Sequence, residues 1–240
     1  MRVAIIADIH SNLSAFEAVV ADFGGVDEVW CLGDVVGYGP DPNECIRLLR
    51  RFPQVCVAGN HDWAAVGKLS AEDFNPDARA AAAWTSTQLS AGSWQFLRTL
   101  PTRLDRERCT LVHGSPRDPI GEYVLLAWQA AGCLADIATR CCLVGHSHVP
   151  LLFEETSSGV QYVDPDYTAP QYLDTSRWVI NPGSVGQPRD GNPDASYVLL
   201  ETGARRLEFR RVPYDVAATQ ARMKAAGLPP RLWQRLSYGL

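Results

Sequence analysis

Short apolar runs punctuate the first two-thirds of the chain, and each ends on a polar residue. Residues 3–7 run into Asp8, 29–32 into Gly33-Asp34, and 55–58 into Gly59-Asn60-His61-Asp62. Residues 109–112 run into His113-Gly114, and 141–144 into Gly145-His146-Ser147-His148. Apolar runs this short and unbroken suit strands buried on both faces. A sixth, 178–180, leads into Asn181-Pro182-Gly183-Ser184, and residues 197–200 and 206–212 read as later strands.

Helical patterns separate these runs. Leu13, Phe16, Val20 and Phe23 form one apolar stripe. Asp41-Pro42-Asn43-Glu44 carries a helix-start signature: an N-cap, a proline at the first position and a capping-box acid. Asn75-Pro76 repeats the cap and proline before the alanine-rich run at 78–83, and residues 123–139 also read as helix. Residues 215–226, stopped by Gly227, and 230–236 read as C-terminal helices. Strand–helix alternation early and successive strands late predict an α/β fold with a mixed sheet. No repeat or low-complexity linker interrupts it, so residues 1–240 read as one domain, with helical segments at 63–101, near the cleft, and at 215–238.

Composition narrows the function. With 46% hydrophobic and 20% charged residues the chain is globular rather than disordered. A net charge of -5 gives no long-range pull toward DNA, RNA or an anionic membrane, so any phosphate is held by local chemistry. The most membrane-like stretch, 123–135, contains Gln129 and falls short of the ~18 residues a spanning helix needs. The N-terminal apolar run is too short for a signal peptide, and Asp8 ends it. Seven cysteines, an odd number without Cys-x-x-Cys spacing, read as reduced core thiols and predict a cytoplasmic protein.

In sheets of this kind the functional edge lies beyond the carboxyl ends of the strands. All five histidines, His10, His61, His113, His146 and His148, fall at such ends. One histidine there would read as a hydrogen-bonded structural residue. Five of five, beside Asp8, Asp34, Asn60 and Asp62, read as a metal-binding set. Imidazoles, carboxylates and an amide oxygen suit Mn²⁺, Fe, Zn²⁺ or Ni²⁺, and the thiolates of a structural zinc site are missing. The donors exceed what one metal needs. Two metals about 3.5–4 Å apart, sharing a carboxylate, would use them. A Ser-His-Asp arrangement through Ser115 or Ser184 would leave most of the histidines idle.

The ordered set Asp8-x-His10, Gly33-Asp34, Gly59-Asn60-His61-Asp62, His113-Gly114 and Gly145-His146-Ser147-His148 resembles the motif series of the calcineurin-like metallophosphoesterases. Residues 33–40, 181–189 and Ala226-Gly227-Leu228-Pro229 are similar to the small bacterial branch related to diadenosine tetraphosphatases and serine/threonine protein phosphatases. The likeness covers nearly the whole chain. It implies a four-layer α-β-β-α sandwich. It also implies that Asp8, His10 and His148 hold a first metal, that Asp34 bridges, and that Asn60, His113 and His146 complete a second. A hydroxide between the metals would attack phosphorus in line, with no covalent enzyme intermediate. His61 would donate a proton to the leaving oxygen or stabilise its charge. Asp62, where many relatives carry Glu, would orient that imidazole.

Weaker candidates surround this set. Arg117 and Arg189, each in a Pro-Arg-Asp triplet, either clamp a substrate phosphate or pair with Asp118 and Asp190. Tyr38 either faces a base or leaving group or simply packs, and Asn60 also counts as a substrate contact. Asn181-Pro182-Gly183-Ser184 forms a turn that either offers amides to phosphate or only reverses the chain. Trp84 and Trp94 either roof the cleft or fill the core. The tail, apolar at Met223, Leu228, Leu232, Trp233 and Leu236, docks on the domain or on a second copy, which leaves a homo-oligomer open.

The expected activity is that of a dinuclear phosphohydrolase with two divalent cations, Mn²⁺ first, acting on a small-molecule phosphoester. Small or nucleotide-type diesters rank ahead of phosphomonoesters, proteins or nucleotides. The lack of a basic stripe argues against long nucleic acids, and no membrane partner is expected. A non-catalytic scaffold of the same fold should have lost ligands, and this chain retains them.

Overall fold

The computed structural model describes residues 1–240. Strand β1 (Arg2–Ile6) shows how the apolar runs build the architecture. Val3, Ile5 and Ala7 face one core, while Ala4, Ile6 and Ile9 face another. A strand with apolar neighbours on both sides needs no polar face, so its sequence is continuous rather than alternating.

Six strands form the first sheet in the order β3-β2-β1-β11-β12-β9. They are β1 with β2 (Glu28–Cys31), β3 (Gln54–Cys56), β9 (Gln171–Tyr172), β11 (Ala195–Glu201) and β12 (Arg206–Val212). The second sheet has the order β4-β5-β6-β10-β7-β8. Its strands are β4 (Arg103–Arg106), β5 (Cys109–Val112), β6 (Cys141–Leu143), β7 (Pro150–Thr156), β8 (Gly159–Val163) and β10 (Trp178–Pro182). Both sheets are mixed: β1, β2 and β3 run parallel, as do β5, β6 and β10, and the remaining pairings are antiparallel. A core built on Trp30, Ile180, Leu200 and Phe209 joins the two sheets face to face.

Helices cover the outer faces and complete the four layers. On the first sheet, α1 (Leu13–Phe23), α2 (Pro42–Leu49) and α5 (Ala91–Thr99) contribute Phe16, Phe23, Leu49 and Leu97. On the second, α6 (Ala127–Ala135) contributes Ala130, Cys133 and Leu134. Helices α3 (Asn60–Ala65) and α4 (Pro76–Gln88) stand beside the parallel strand ends. The tail helices α7 (Val216–Ala225) and α8 (Pro230–Gln234) pack Met223 and Leu232, with Leu236 from the 3-10 turn that follows, onto Tyr38, Ala78 and Ala81 of the same chain. All seven cysteines are buried and free, and no helix is long and apolar enough to cross a membrane.

Several local expectations need correcting. Asp41 makes no cap bond at α2; its carboxylate pairs with Arg222 at 3.2 Å instead. The helix expected over 123–139 is confined to Ala127–Ala135, because Gln129 ties the preceding backbone into a loop. Its Oε1 accepts from the Leu125 and Leu126 amides at 2.9 Å, and its Nε2 donates to Tyr123 O at 2.7 Å. Trp94 is not a core residue: it is exposed, and the Arg98 guanidinium sits 4.9 Å above its ring.

Phe209 is 2% exposed and lies between the sheets. Phe209→Ala should therefore lower unfolding free energy by about 3–5 kcal/mol, measured by urea denaturation. A loss below about 1 kcal/mol would show that the inter-sheet core does not carry the packing assigned to it.

Candidate metal centre

The first connection of the chain determines where the site lies. After β1 the backbone enters the left-handed region at Asp8 (φ 54), His10 (φ 48) and Ser11 (φ 53). Asp34 (φ 52), Tyr38 (φ 54), His146 (φ 63) and His148 (φ 60) share that conformation, and only two other non-glycine residues do. Side chains disfavour this region by roughly 1–3 kcal/mol each, so the surrounding structure must enforce it. It does so by welding neighbouring strand-end loops together. The amides of Asp8, His10 and Ser11 donate to Gly33 O, Asp34 O and Val35 O, each at 3.0 Å. On the other side Asp8 O accepts from Ser184 Oγ at 2.8 Å and from Gly186 N at 2.9 Å.

The polar residues converge as two triads, Asp8–His10–His148 and Asp34–His113–His146, all buried. Asp34 stands between them: its Oδ2 is 3.5 Å from His10 Nε2 and 3.3 Å from His113 Nε2. Its Oδ1 accepts the His61 amide at 2.9 Å. Asn60 aims Oδ1 at His113 Nε2, 3.1 Å away. His146 offers Nδ1 to the same point, also 3.1 Å from His113 Nε2.

Three imidazoles have their tautomer set from behind. His10, His113 and His148 place Nδ1 against the carbonyls of Val36 (3.1 Å), Leu32 (2.8 Å) and Gln187 (2.6 Å). A carbonyl only accepts, so each Nδ1 carries the proton and each Nε2 presents a lone pair to the centre. His10 Nε2 and His148 Nε2 then face one another at 3.1 Å with no hydrogen between them. Asp8 Oδ1, Asp8 Oδ2 and Asp34 Oδ2 are buried without a hydrogen-bond partner. Lone pairs and carboxylate oxygens gathered this closely in a dry pocket repel unless a cation joins them. The donor set therefore fits two divalent metals.

The electrostatics reflect the same crowding. Burial pushes Asp8 up to about 8, and the Asp34 charge adds to it. Burial would raise Asp34 too, but His113, His61 and His10 outweigh it and hold that carboxyl well below the usual range. Burial alone would lower His113, yet Asp34 overcomes it and lifts the imidazole to about 9, so that a proton takes up Nε2 wherever a metal cation does not. Burial pushes His61 down to about 4 and His146 to about 3.

A cleft of about 490 Å³ opens over the centre, within the range of small-molecule sites. Its walls come from Leu69, Phe74 and Ala78 on one side and from Ile120 and Tyr123 on the other, with Arg189 at the edge. His61 lines it, flanked by Tyr38 (ring centroids 4.3 Å apart) and Phe74 (4.9 Å). A cavity of about 550 Å³ at the opposite end of β5, β6 and β10 is larger but holds no histidine.

Not every candidate arrives in the site. Asp62 does not touch His61: its Oδ1 accepts from the Val36 amide and its Oδ2 from the Gly59 amide, both at 3.0 Å. It is a backbone clamp at the start of α3. Arg117 points away from the cleft and pairs with Glu122 at 2.5 Å rather than with Asp118. Arg189 remains in the cleft with Nη2 3.4 Å from Tyr38 Oη, while Asp190 pairs with Arg211 instead. In the 181–184 turn Gly183 N is taken by Asn181 Oδ1 at 2.9 Å, and just beyond the turn Val185 N is taken by Ala7 O at 3.0 Å. Tyr123, which periodicity assigned to a helix, instead stacks on His146 with ring centroids 4.0 Å apart. Only its place beside an expected helix start marked it in the sequence.

A double-sheet sandwich with histidine–carboxylate triads at its parallel strand ends defines a metallophosphoesterase. Residues 1–205 match the family model described as the calcineurin-like phosphoesterase superfamily domain. A metallophosphoesterase from Sphaerobacter thermophilus superimposes with a TM-score of 0.92 at 48% identity, covering 100% of this chain and 99% of that one. An uncharacterized protein of Methanocaldococcus jannaschii is 36% identical over 99% of this chain and 98% of its own length. A symmetrical bis(5'-nucleosyl)-tetraphosphatase of Pseudomonas putida is 41% identical over 56 residues, 20% of this chain and 19% of that protein. The chain belongs to the calcineurin-like phosphoesterase superfamily, and it is a metal-dependent phosphoester hydrolase.

Gly59 is where this geometry tolerates least. A Cβ there would lie 2.0 Å from Asp34 Oδ1 and 2.5 Å from Asp34 N. Gly59→Ala should therefore displace the central carboxylate and lower the divalent metal bound per chain below the wild-type level, measured by ICP-MS after gel filtration. Wild-type metal content would mean that Asp34 is not held by this contact.

Proposed function

We propose that this hydrolase is a dinuclear phosphodiesterase acting on small, nucleotide-type diesters, with Mn²⁺ as its metal. The observation that carries the dinuclear part is the position of Asp34 Oδ2 between the two triads, 3.5 Å and 3.3 Å from one histidine of each. Asp8, His10 and His148 would hold one cation, and Asn60, His113 and His146 the other, with Asp34 shared. Bound there, the pair supplies Lewis acidity, lowering the pKa of water to near neutral and offsetting charge on the transferred phosphoryl group.

The protein's own groups supply the rest. His61 Nδ1 is buried without a partner, its edge packed against Gly37. With no acceptor at Nδ1, the proton of the neutral ring belongs on Nε2, the nitrogen left for the cleft. From there it donates a hydrogen bond to the leaving oxygen as negative charge develops. Arg189 offers its guanidinium to a phosphoryl oxygen, and Tyr38 braces both Arg189 and His61.

Charge supports a diester over more highly charged substrates. Arg189 is the one cationic side chain lining the cleft, and Asp73 and Asp118 line it too. A diester carries a single negative charge, whereas a phosphomonoester or a polyphosphate end carries about two near neutral pH. Apolar walls at Phe74, Ile120 and Tyr123 suit a flat or apolar ester arm. The short match to a bis(5'-nucleosyl)-tetraphosphatase is consistent with a nucleoside in that arm. A long polyanionic strand has no basic track to follow.

Initial rates on bis-p-nitrophenyl phosphate and p-nitrophenyl phosphate, with and without Mn²⁺, test the reading. We expect Mn²⁺-dependent turnover with the diester preferred; a preference for the monoester would replace the diesterase reading with a phosphomonoesterase. His61→Ala should keep both ions and lose about 10²–10⁴-fold in kcat. Full activity in that variant would remove His61 from the chemistry.

A further inference from the structure

Of the four histidines in the two triads, His146 is held differently. His10, His113 and His148 each lean their rear nitrogen on a backbone carbonyl. His146 turns Nδ1 inward and makes no hydrogen bond to any carbonyl or carboxylate. What covers the ring is Tyr123, stacked at 4.0 Å between centroids with an interplanar angle of 17°. His113 touches the same ring only in a tilted arrangement, at 4.8 Å and 56°.

Tyr123 is not in place because it is buried. It is 44% exposed, whereas His146 beneath it is 6% exposed. The loop that carries it is instead built to hold it. Gln129 Nε2 donates to Tyr123 O at 2.7 Å, and Asp118 Oδ1 caps the Gly121 amide at 3.0 Å. Ser115 Oγ bonds to Glu122, and Gly114 N donates to Pro119 O at 2.8 Å. These bonds hold residues 114–126 as a loop, keep residues 123–126 out of the helix expected over 123–139, and present one aromatic face to one imidazole.

We propose that Tyr123 is a positioning residue for the second cation: its ring face sets the plane of His146, so that Nδ1 points at the site shared with Asp34 and His113. The stack does for His146 what a backbone carbonyl does for the other three histidines. The function belongs to the ring and not to the hydroxyl, which has no hydrogen-bond partner on His146. The cation site of Asp34, Asn60, His113 and His146 therefore depends on an exposed loop, while the site of Asp8, His10 and His148 does not. This inference rests on the dinuclear reading, and the test separates the two.

Calorimetric titration of metal-stripped protein with Mn²⁺ resolves the two sites, using wild type, Tyr123→Phe, Tyr123→Ala and Tyr123→Leu. Removing an outer partner of a metal ligand weakens affinity by about 10–100-fold, and that loss is expected at one site in Tyr123→Ala and Tyr123→Leu. The other site should keep its wild-type affinity, and Tyr123→Phe should match wild type at both. Because the side chain is 44% exposed, the thermal midpoint should move little, so lost binding is not lost folding. Wild-type affinity at both sites in Tyr123→Ala would overturn the proposal, as would an equal loss in Tyr123→Phe, which would assign the role to the hydroxyl. Fewer than two Mn²⁺ in wild type would overturn the dinuclear reading, and this inference with it.

Discussion

Two imidazole nitrogens, His10 Nε2 and His148 Nε2, face each other at 3.1 Å with their protons committed to carbonyls behind them. That confrontation of lone pairs, together with buried carboxylate oxygens that find no donor, is the constraint around which the strand ends are arranged. Without a cation it is repulsive, and the fold must hold it by force elsewhere. Seven left-handed non-glycine residues, the crossed amides of residues 8–11 over 33–35, and the contacts of Ser184 and Gly186 with Asp8 O supply that force. The sandwich beneath is rigid because both sheets are buried on their shared face and β1 is buried on both faces. Precision at the site is thus drawn from ordinary packing energy in the sheets.

The legible part of the sequence was the part under two-sided constraint. Central strands such as β1, β2, β5 and β6 must be apolar on both faces, so their runs announce themselves and their polar ends mark the site. The strands without a readable pattern have weaker demands. β4, β8 and β9 are sheet edges, and β4 and β8 carry exposed residues such as Arg103, Asp105 and Tyr162. β7 begins on a proline and turns half-exposed after Phe153. Helix-start signals were ambiguous for a different reason. Asn75 does cap α4, accepting from Ala78 N at 3.0 Å, but Asp41 is drawn off by Arg222, which lies 181 positions away in the chain. No local pattern encodes that competitor.

The site itself divides the same way. Its inner donors are carried by short motifs at strand ends and are readable one by one. The residues that aim those donors come from elsewhere in the fold and have no local signature. Asp62 sits one position from His61, yet its carboxylate turns back to the Val36 and Gly59 amides, because it closes the first turn of α3. Tyr123 lies 23 positions before His146 and reaches it only because Gln129 stops a helix short. Support of this kind is tertiary, and proximity in sequence is a poor guide to it.

The central claim is that Asp34 stands between two cations. The most direct measurement is a crystal structure of the protein grown with Mn²⁺, with anomalous difference maps collected at the manganese edge. The account predicts two peaks about 3.5–4 Å apart, one on each histidine triad, with the Asp34 carboxylate contacting both. A single peak, or two peaks not bridged by Asp34, would contradict it.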